Sequence, residues 1–323
     1  MKIAGPTRSR GEFAVIGGGV SGLACARTLI DAGFCVTVLD KGRRPGGRVS
    51  SRTIEDAGCT FSFDYGAQYF TARHPLFRSV VKGLEKKSLV APWPIEGKNA
   101  WVGTPGMATL VEALADGIDV AWGQTATGLV HRDDAWVVKT DETGERNFEN
   151  VVLAMPAEQT AVLAATADFG LAHRAVSSQT NPCWTLLLGF SVPLPIDEDV
   201  LQGDGISSAT RNIGKPSRHG CEAWVIHADP DWSRRHLEKD PAEIRQLLGD
   251  LFASAAGHTI EPIYARAHRW RYALSSSGSE GCYWNDALKL GACGDWLLAP
   301  RIESAWISGR MLGEQIAGGE ALV

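Results

Sequence analysis

Three glycines and one acid are the residues best placed to do chemistry. Gly17, Gly19 and Gly22 follow an apolar run from Phe13 to Ile16 and precede a helical apolar pattern in Leu23, Ala26, Leu29 and Ile30. A second apolar run, Val36 to Leu39, ends in Asp40, close to the roughly 20-residue spacing that a ribose-binding acid keeps from such glycines. This arrangement suits a dinucleotide. Gly17 makes the tight strand-to-helix turn, Gly19 admits a pyrophosphate against the backbone, and Gly22 lets helix and strand pack closely. Val20, Ser21 and Gly22 open the helix, whose N-terminus faces phosphate charge. Glycine-rich turns are common, and packing in a parallel sheet alone could ask for the same glycines. The strand before, the helix after and the spaced acid favour the dinucleotide.

The next stretch, Lys41 to Arg48, reads KGRRPGGR. It resembles the two-dinucleotide-binding-domain flavoproteins, in which this segment lies along the FAD pyrophosphate and ribityl chain. The resemblance implies that Lys41, Gly47 and Arg48 touch FAD, with the Arg48 fork of donors balancing phosphate charge. A solvated basic loop is the plainer alternative.

The elements that position these residues must come from a chain of 323 residues, long for one core and comfortable for two domains. Apolar residues make up 44% and charged residues 21%, as in an ordinary globular enzyme. The net charge of −5 contains no basic block, which argues against nucleic acid or an anionic membrane as partner. No apolar run of about 18 residues is present, so no membrane span is expected. The N-terminal MKIAGPTRSRGEF lacks a signal-peptide core and reads as a short flexible lead. Seven cysteines show neither CxxC nor metal-ligand spacing, so no metal is expected. Their odd number, with Cys25 and Cys35 inside the first βαβ unit, predicts reduced thiols in a cytoplasmic protein.

Along the chain, Leu76, Val80, Val81 and Leu84 predict a helix over 75–87, and residues 100–117 a turn and a short helix. Strands separated by turns follow to Phe148, with corners at Asp133-Asp134 and Thr143-Gly144. The run 150–156 reads as a buried strand returning to the sheet begun by residues 13–17. Strand-like runs at 183–190, 222–228 and 262–271, with a helix at 241–255, suggest a second layer. Residues 288–297 read as a strand entering Gly294-Asp295, and 303–318 as a final helix. The expected fold is α/β: a Rossmann-type FAD-binding domain (12–74, 98–160 and 286–323) with a second α+β substrate domain on a mostly antiparallel sheet (75–97 and 161–285).

Gly294-Asp295 and the run Arg301 to Trp306 form the second motif. In flavoproteins of this type the aspartate accepts a ribityl hydroxyl, and the last helix aims its positive end at the flavin pyrimidine. Glu303, Ser304 and Ala305 then lie at the cofactor. Alone, Gly-Asp is more often a turn; its place at the end of the last strand favours the flavin.

More selective segments are Asp64 to Arg73 (DYGAQYFTAR), Trp101 to Met107 (WVGTPGM), Trp224 to His227, Ala267 to Trp270 with Tyr272, and Cys293 to Trp296. On these the chain resembles bacterial renalase-type flavoproteins, within the flavin-containing amine oxidase superfamily, from about residue 13 to 318. Asp40 stands where the superfamily usually has Glu, and either carboxylate reaches a ribose. The resemblance implies noncovalent FAD held also by Gly66, Ala67, Gln68 and Thr127. It further implies hydride transfer from 2- or 6-dihydro isomers of NAD(P)H to flavin N5, giving NAD(P)+, and reoxidation by O2 to H2O2. Aromatisation drives such a transfer and no general base is required, so stacking and electrostatic support suffice. No Ser/His/Asp, Cys/His or paired-carboxylate constellation is evident.

Gln68, Tyr69, His227, His268 and Trp270 are candidates to face the substrate, and Arg211, Asn212 and Lys215 to meet its pyrophosphate. Singly, each reads as readily as a structural histidine or a solvated charge. No protein partner is implied. Three rivals remain. One is a flavin amine oxidase with a lysine-held water, for which Lys215 and Lys289 are nearest. Another is a quinone-linked desaturase, and the third an FAD-bound structural or signalling protein.

Overall fold

The computed structural model describes residues 10–95 and 99–318. The first nine residues of the expected flexible lead (1–13) and the last residues of the expected C-terminal segment (319–323) lie outside the described residues, and Glu12 and Phe13 at the end of that lead already belong to the first strand. The chain divides into two compact units, one running through Pro45 and comprising Leu114–Gln179 and the stretch from Ser276 on, the other Gly46–Ala113 and Thr180–Ser275. This division differs from the expected boundaries: residues 46–74 and 99–113 pack with the second unit, and 161–179 and 276–285 with the first. The sequence motif that begins at Asp40 is therefore split, with Gly47 and Arg48 in the second unit.

The first unit is built on a six-stranded sheet whose central strands are parallel. Glu12–Ile16 lies between Cys35–Asp40 and Asn150–Leu153, so the strand at 150–153 does return beside the first. Near-continuous burial of these apolar runs is what a parallel sheet covered on both faces demands. Leu290–Ala292 extends the sheet and is much shorter than the strand expected over 288–297; Asp295–Leu297 is a 3-10 turn. On one face, helix Val20–Asp31 packs against helix Ile302–Ala317 so closely that a Cβ on Gly309 would stand 1.9 Å from the Ser21 carbonyl. A separate three-stranded sheet, 126–148, turns at Asp133 and Asp134, both at positive φ (50° and 62°), as a two-residue hairpin requires.

The second unit is organised by a five-stranded antiparallel sheet in which Thr180–Phe190 lies between Glu222–Ala228 and Tyr264–Ser275. Alternation along each strand separates its faces. One face presents Trp184, Leu186, Trp224 and Ile226 to Ile244, Leu248 and Phe252, which recur every fourth residue along helix Pro241–Ala256. That helix starts on an Asp240 cap with proline at its first turn and stops at Gly257 in the left-handed region. The other face presents Leu187, Ala223 and Val225 to Phe61 and Phe63 of the hairpin Ser51–Asp56/Cys59–Asp64. Two strands that sequence reading passed over, Val200–Gly203 and Ile206–Arg211, complete the sheet.

Cys59 and Cys221 are joined as a disulfide, with Cα atoms 5.8 Å apart. This corrects the expectation of seven reduced thiols: the hairpin and the sheet bring together two cysteines 162 residues apart in sequence. Among the described residues no helix is long and apolar enough to cross a membrane, and no group of three His, Cys, Asp or Glu residues could hold a metal ion.

Candidate functional site

In the first unit, the three glycines divide two kinds of work. Gly17 sits at φ +116°, and a Cβ there would lie 2.3 Å from the Ala154 carbonyl. A Cβ on Gly22 would lie 1.9 Å from the Gly17 carbonyl. Both are compelled by packing. Gly19 is different, because its Cβ would meet no atom within 4 Å. The first helical bond runs from Leu23 N to Gly19 O, so the N–H groups of Val20, Ser21 and Gly22 precede it and point to the helix entrance. No side chain caps this end and its first turn holds no acid. The result is an open cradle at the positive end of a helix.

Asp40 is fixed beside it. Its two oxygens accept one N–H each, from Gly18 and Gly42, both at 2.6 Å. Burial nevertheless raises its pKa above the ordinary value, outweighing those bonds. Each oxygen keeps acceptor capacity for a ribose hydroxyl. Lys41 is exposed. Thr127 is exposed too, its hydroxyl 3.4 Å from the Lys139 carbonyl. At the other end of the chain, Asp295 is buried at the head of its turn, and Gly294 N donates to Ser308 Oγ at 2.9 Å. Glu303 and Ser304 are buried in the first turn of the last helix, with Ala305 half-buried; that end also lacks a side-chain cap.

In the second unit, the GGR and DYGAQ segments are knitted together. Ala67 N donates to the Arg48 carbonyl at 2.9 Å, and a Cβ on Gly66 would stand 2.2 Å from the same oxygen. The Arg48 guanidinium reaches the Ala273 carbonyl at 3.3 Å, and Gly47 opens the short turn at positive φ.

Beneath this loop lies a buried charge cluster. Asp64, about 1% exposed, accepts four donors on its carboxylate: Ser51 Oγ (2.6 Å) and Met107 N (2.9 Å) on Oδ1, Lys215 Nζ (3.1 Å) and Arg218 Nη2 (2.6 Å) on Oδ2. Burial works against its charge, but Lys215 and Arg218, with the two hydrogen bonds, hold its pKa down to about 2. Burial lowers Lys215 to about 8 despite Asp64. Gln68 and Asn212, expected to face a substrate, are buried and engaged here. Gln68 donates to the Asp64 and Gly66 carbonyls and accepts from Lys215 at 2.8 Å; Asn212 Oδ1 accepts Asp64 N at 2.7 Å. Lys215 is likewise turned inward. Arg211, the third residue expected at a pyrophosphate, is held by Glu222 at 3.1–3.2 Å. Neither Asp64 nor Arg218 carries an expected role from the sequence; an acid closing the apolar run FSFD is the available signal.

One residue on, Tyr65 gathers most of the remaining candidates. Its ring stacks on Trp270 (5.4 Å, 22°), with His268 edge-on at 5.2 Å and the Arg52 guanidinium 5.4 Å over it. Its carbonyl accepts Trp270 Nε1 at 3.1 Å and lies 3.4 Å from His227 Nε2. Both histidines are lowered to about 4, chiefly by burial, so both are neutral at pH 7. The register explains the grouping: Thr185 pairs with His227 on one side and His268 on the other. Tyr69 stands apart, its ring 6.5 Å from Trp93. Lys289 is paired with Asp286 on an exposed turn.

A family model for an NAD(P)-binding Rossmann-like domain matches residues 15–84, and one for flavin containing amine oxidoreductase matches residues 93–289. The chain belongs to the flavin-containing amine oxidoreductases. Its cofactor is FAD. Among curated relatives of this flavin oxidoreductase, mouse (Mus musculus) renalase is 24% identical over 294 residues, covering 81% of this chain and 85% of the relative. The fold is shared with a structure from Exiguobacterium sp. 255-15 provisionally assigned as a protoporphyrinogen oxidase (TM-score 0.77, 13% identity, 96% of this chain and 99% of that one). Putrescine oxidase bound to putrescine is also similar (TM-score 0.71, 12% identity, 95% and 99%).

The first unit fits FAD on its own evidence, through the open space at Gly19, the uncapped helix entrance and the oriented Asp40. Gly19→Val should leave the unfolding midpoint of the flavin-free protein unchanged while weakening FAD retention at least about tenfold, roughly 1.4 kcal/mol. Gly22→Val should lose the fold itself. Flavin absorbance per protein, with urea unfolding of the stripped protein, separates the two.

Asp64→Asn leaves two buried cations facing a neutral amide and should destabilise the chain by about 3–5 kcal/mol in urea unfolding. Because the folded pKa of Asp64 is depressed, its contribution is fully present above the ordinary value of 3.8 and is lost as pH falls through about 2. Acid unfolding should therefore be less steep in this range for Asp64→Asn.

Proposed function

We propose that this flavin oxidoreductase is a renalase-type oxidase. It takes a hydride from 2- or 6-dihydro isomers of NAD(P)H, releases NAD(P)+ and returns the electrons to O2 as H2O2, acting in the cytoplasm. One observation carries the reading. Four of the five segments on which the renalase resemblance rests, scattered between residues 64 and 270, meet in direct contact: Asp64 with Met107, and Tyr65 with His227, His268 and Trp270. Similarity to mouse renalase along most of both chains supports it further.

Bound FAD, held noncovalently, supplies a two-electron acceptor that O2 can reoxidise. The chain's residues have the remaining tasks. The N–H groups at Val20–Gly22 hold a pyrophosphate, Asp40 holds ribose hydroxyls, and Arg48, Gly66, Ala67 and Asp295 complete the expected cofactor set. The Tyr65–Trp270 stack offers a flat surface to a flat dihydropyridine. His227 and His268, neutral and desolvated, accept no proton in the working range. That suits a donor whose own nitrogen lone pair expels the hydride and whose aromatisation drives the reaction. Positioning and exclusion of water are then what the site contributes.

Anaerobic mixing with a borohydride-reduced NAD+ isomer mixture tests the reading through the flavin absorption band. Bleaching by the mixture, and by neither authentic 4-dihydro NADH nor a simple amine, is expected, with recovery and peroxide on admitting air. Bleaching by amines alone would make the protein an amine oxidase instead. Reduced flavin that persists in air would point to a quinone-linked desaturase. Bleaching by no donor would leave an FAD-bound structural or signalling protein.

The reduction rate should also stay flat between about pH 5 and 7.5, with no histidine titration, since both imidazoles remain neutral there. An inflection near the ordinary histidine range, removed by His227→Asn or His268→Asn, would contradict this assignment.

A further inference from the structure

The loop between strands Ile206–Arg211 and Glu222–Ala228 supplies Asn212, Lys215 and Arg218 to Asp64. Its far end returns to the same strand that Asp64 closes. Cys221, the last residue before Glu222, is bonded to Cys59, the first residue of Cys59–Asp64. Cys221 N also donates to the Thr60 carbonyl at 2.9 Å, and Gly220 approaches that oxygen so closely that a Cβ would lie 2.1 Å away. One strand thus holds the loop twice, by a buried ion cluster at Asp64 and by a covalent bond at Cys59.

The remaining cysteines are poorly placed for such chemistry. Cys25 and Cys293 are buried, burial pushes Cys183 and Cys282 up to about 12, and Cys35 is exposed without a disulfide partner. Cys59 and Cys221 are only half-buried and already at bonding distance. A disulfide in a chain otherwise rich in unpaired thiols is the pattern of a redox-responsive pair more than of a secreted scaffold.

We propose that Cys59 and Cys221 form a redox modification site, oxidised by a hydroperoxide, that locks the loop carrying Lys215 and Arg218 onto the strand carrying Asp64. The chemistry balances. One thiolate attacks the peroxide O–O bond, becoming a sulfenic acid and releasing water or an alcohol. The second thiol then displaces the sulfenic oxygen as water, forming the S–S bond. The sulfurs lose two electrons and the peroxide gains them. A dithiol reductant reverses the step by exchange. Any hydroperoxide serves, whether or not the protein's own turnover makes it.

The test uses the intact flavoprotein, treated with hydrogen peroxide or with a dithiol and then denatured without further reductant for maleimide counting. Five reactive thiols after peroxide and all seven after dithiol are expected. In the folded protein, acylation of Lys215 by a succinimidyl acetate, read by peptide mass, should be at least about tenfold faster in the dithiol-treated form. Hydrogen exchange over 212–221 should rise in step, and the Cys59→Ser/Cys221→Ser double variant should match the reduced form whether or not peroxide is present. Seven thiols under both conditions, or five under both, would overturn the proposal. So would equal Lys215 labelling in the two wild-type forms, a comparison that does not depend on the variant folding.

Discussion

A carboxylate cannot be buried alone. Removing Asp64 from water costs several kcal/mol unless donors replace the water it loses. Its four carboxylate partners come from three separate stretches of chain: Ser51, Met107, and the loop that carries both Lys215 and Arg218. Satisfying this one group fixes the hairpin, the turn before helix Ala108–Ala115 and the loop after Arg211 with respect to one another. Gln68 and Asn212 fill in around it, so the backbone at Gly66 and Ala67 has no freedom left to drift. Burial, with Arg218 beside it, lowers Lys215, while the two cations together hold Asp64 down. Of the two cations, the lysine is the one whose charge burial disfavours.

The first unit reaches rigidity by the opposite route. Its backbones approach because side chains are missing, at Gly17, Gly22 and Gly309, where any Cβ would collide with a carbonyl. Close approach of strand and helix leaves the helix entrance bare, and at Gly19 it leaves space. Glycine therefore has two meanings within six residues: at two positions it removes an obstacle to packing, at the third it leaves the helix entrance open. Packing accounts for Gly17 and Gly22, and Gly19 is the glycine of the motif that packing does not require.

What could be read from sequence follows the range of the interaction that specifies it. The βαβ start, the helix Pro75–Lys86, the Asp133-Asp134 corner and the returning strand at Asn150–Leu153 are set by local periodicity and turn chemistry. Val200–Gly203 and Ile206–Arg211 were illegible because they are short, polar and broken by glycine; only pairing with Glu222–Ala228 makes them strands. Asn212, Gln68 and Lys215 show only that donors are present. For Asn212 and Lys215, whether the donor turns toward solvent or toward a buried Asp64 depends on a residue some 150 positions away. Cys59 and Cys221 pose the same difficulty, and counting cysteines suggested reduced thiols where the topology makes a bond.

Asp64 and Tyr65 are adjacent at the end of one strand, and strand alternation sends neighbouring side chains to opposite sides. The inward residue is anchored by charge. The outward one therefore starts from a fixed backbone, and its carbonyl is then held by Trp270 Nε1 while its ring lies on the Trp270 face. A neutral His227 can complete this only as the tautomer carrying its proton on Nε2, which is the form that donates toward the Tyr65 oxygen. Burial that keeps His227 neutral and a carbonyl that selects its tautomer act together. An imidazole so placed is already committed as a donor and has no reason to take up a proton from a substrate. The aromatic surface at Tyr65 is thus held in position by a buried carboxylate that it never touches, and desolvation of His227 and His268 frees it of basic chemistry.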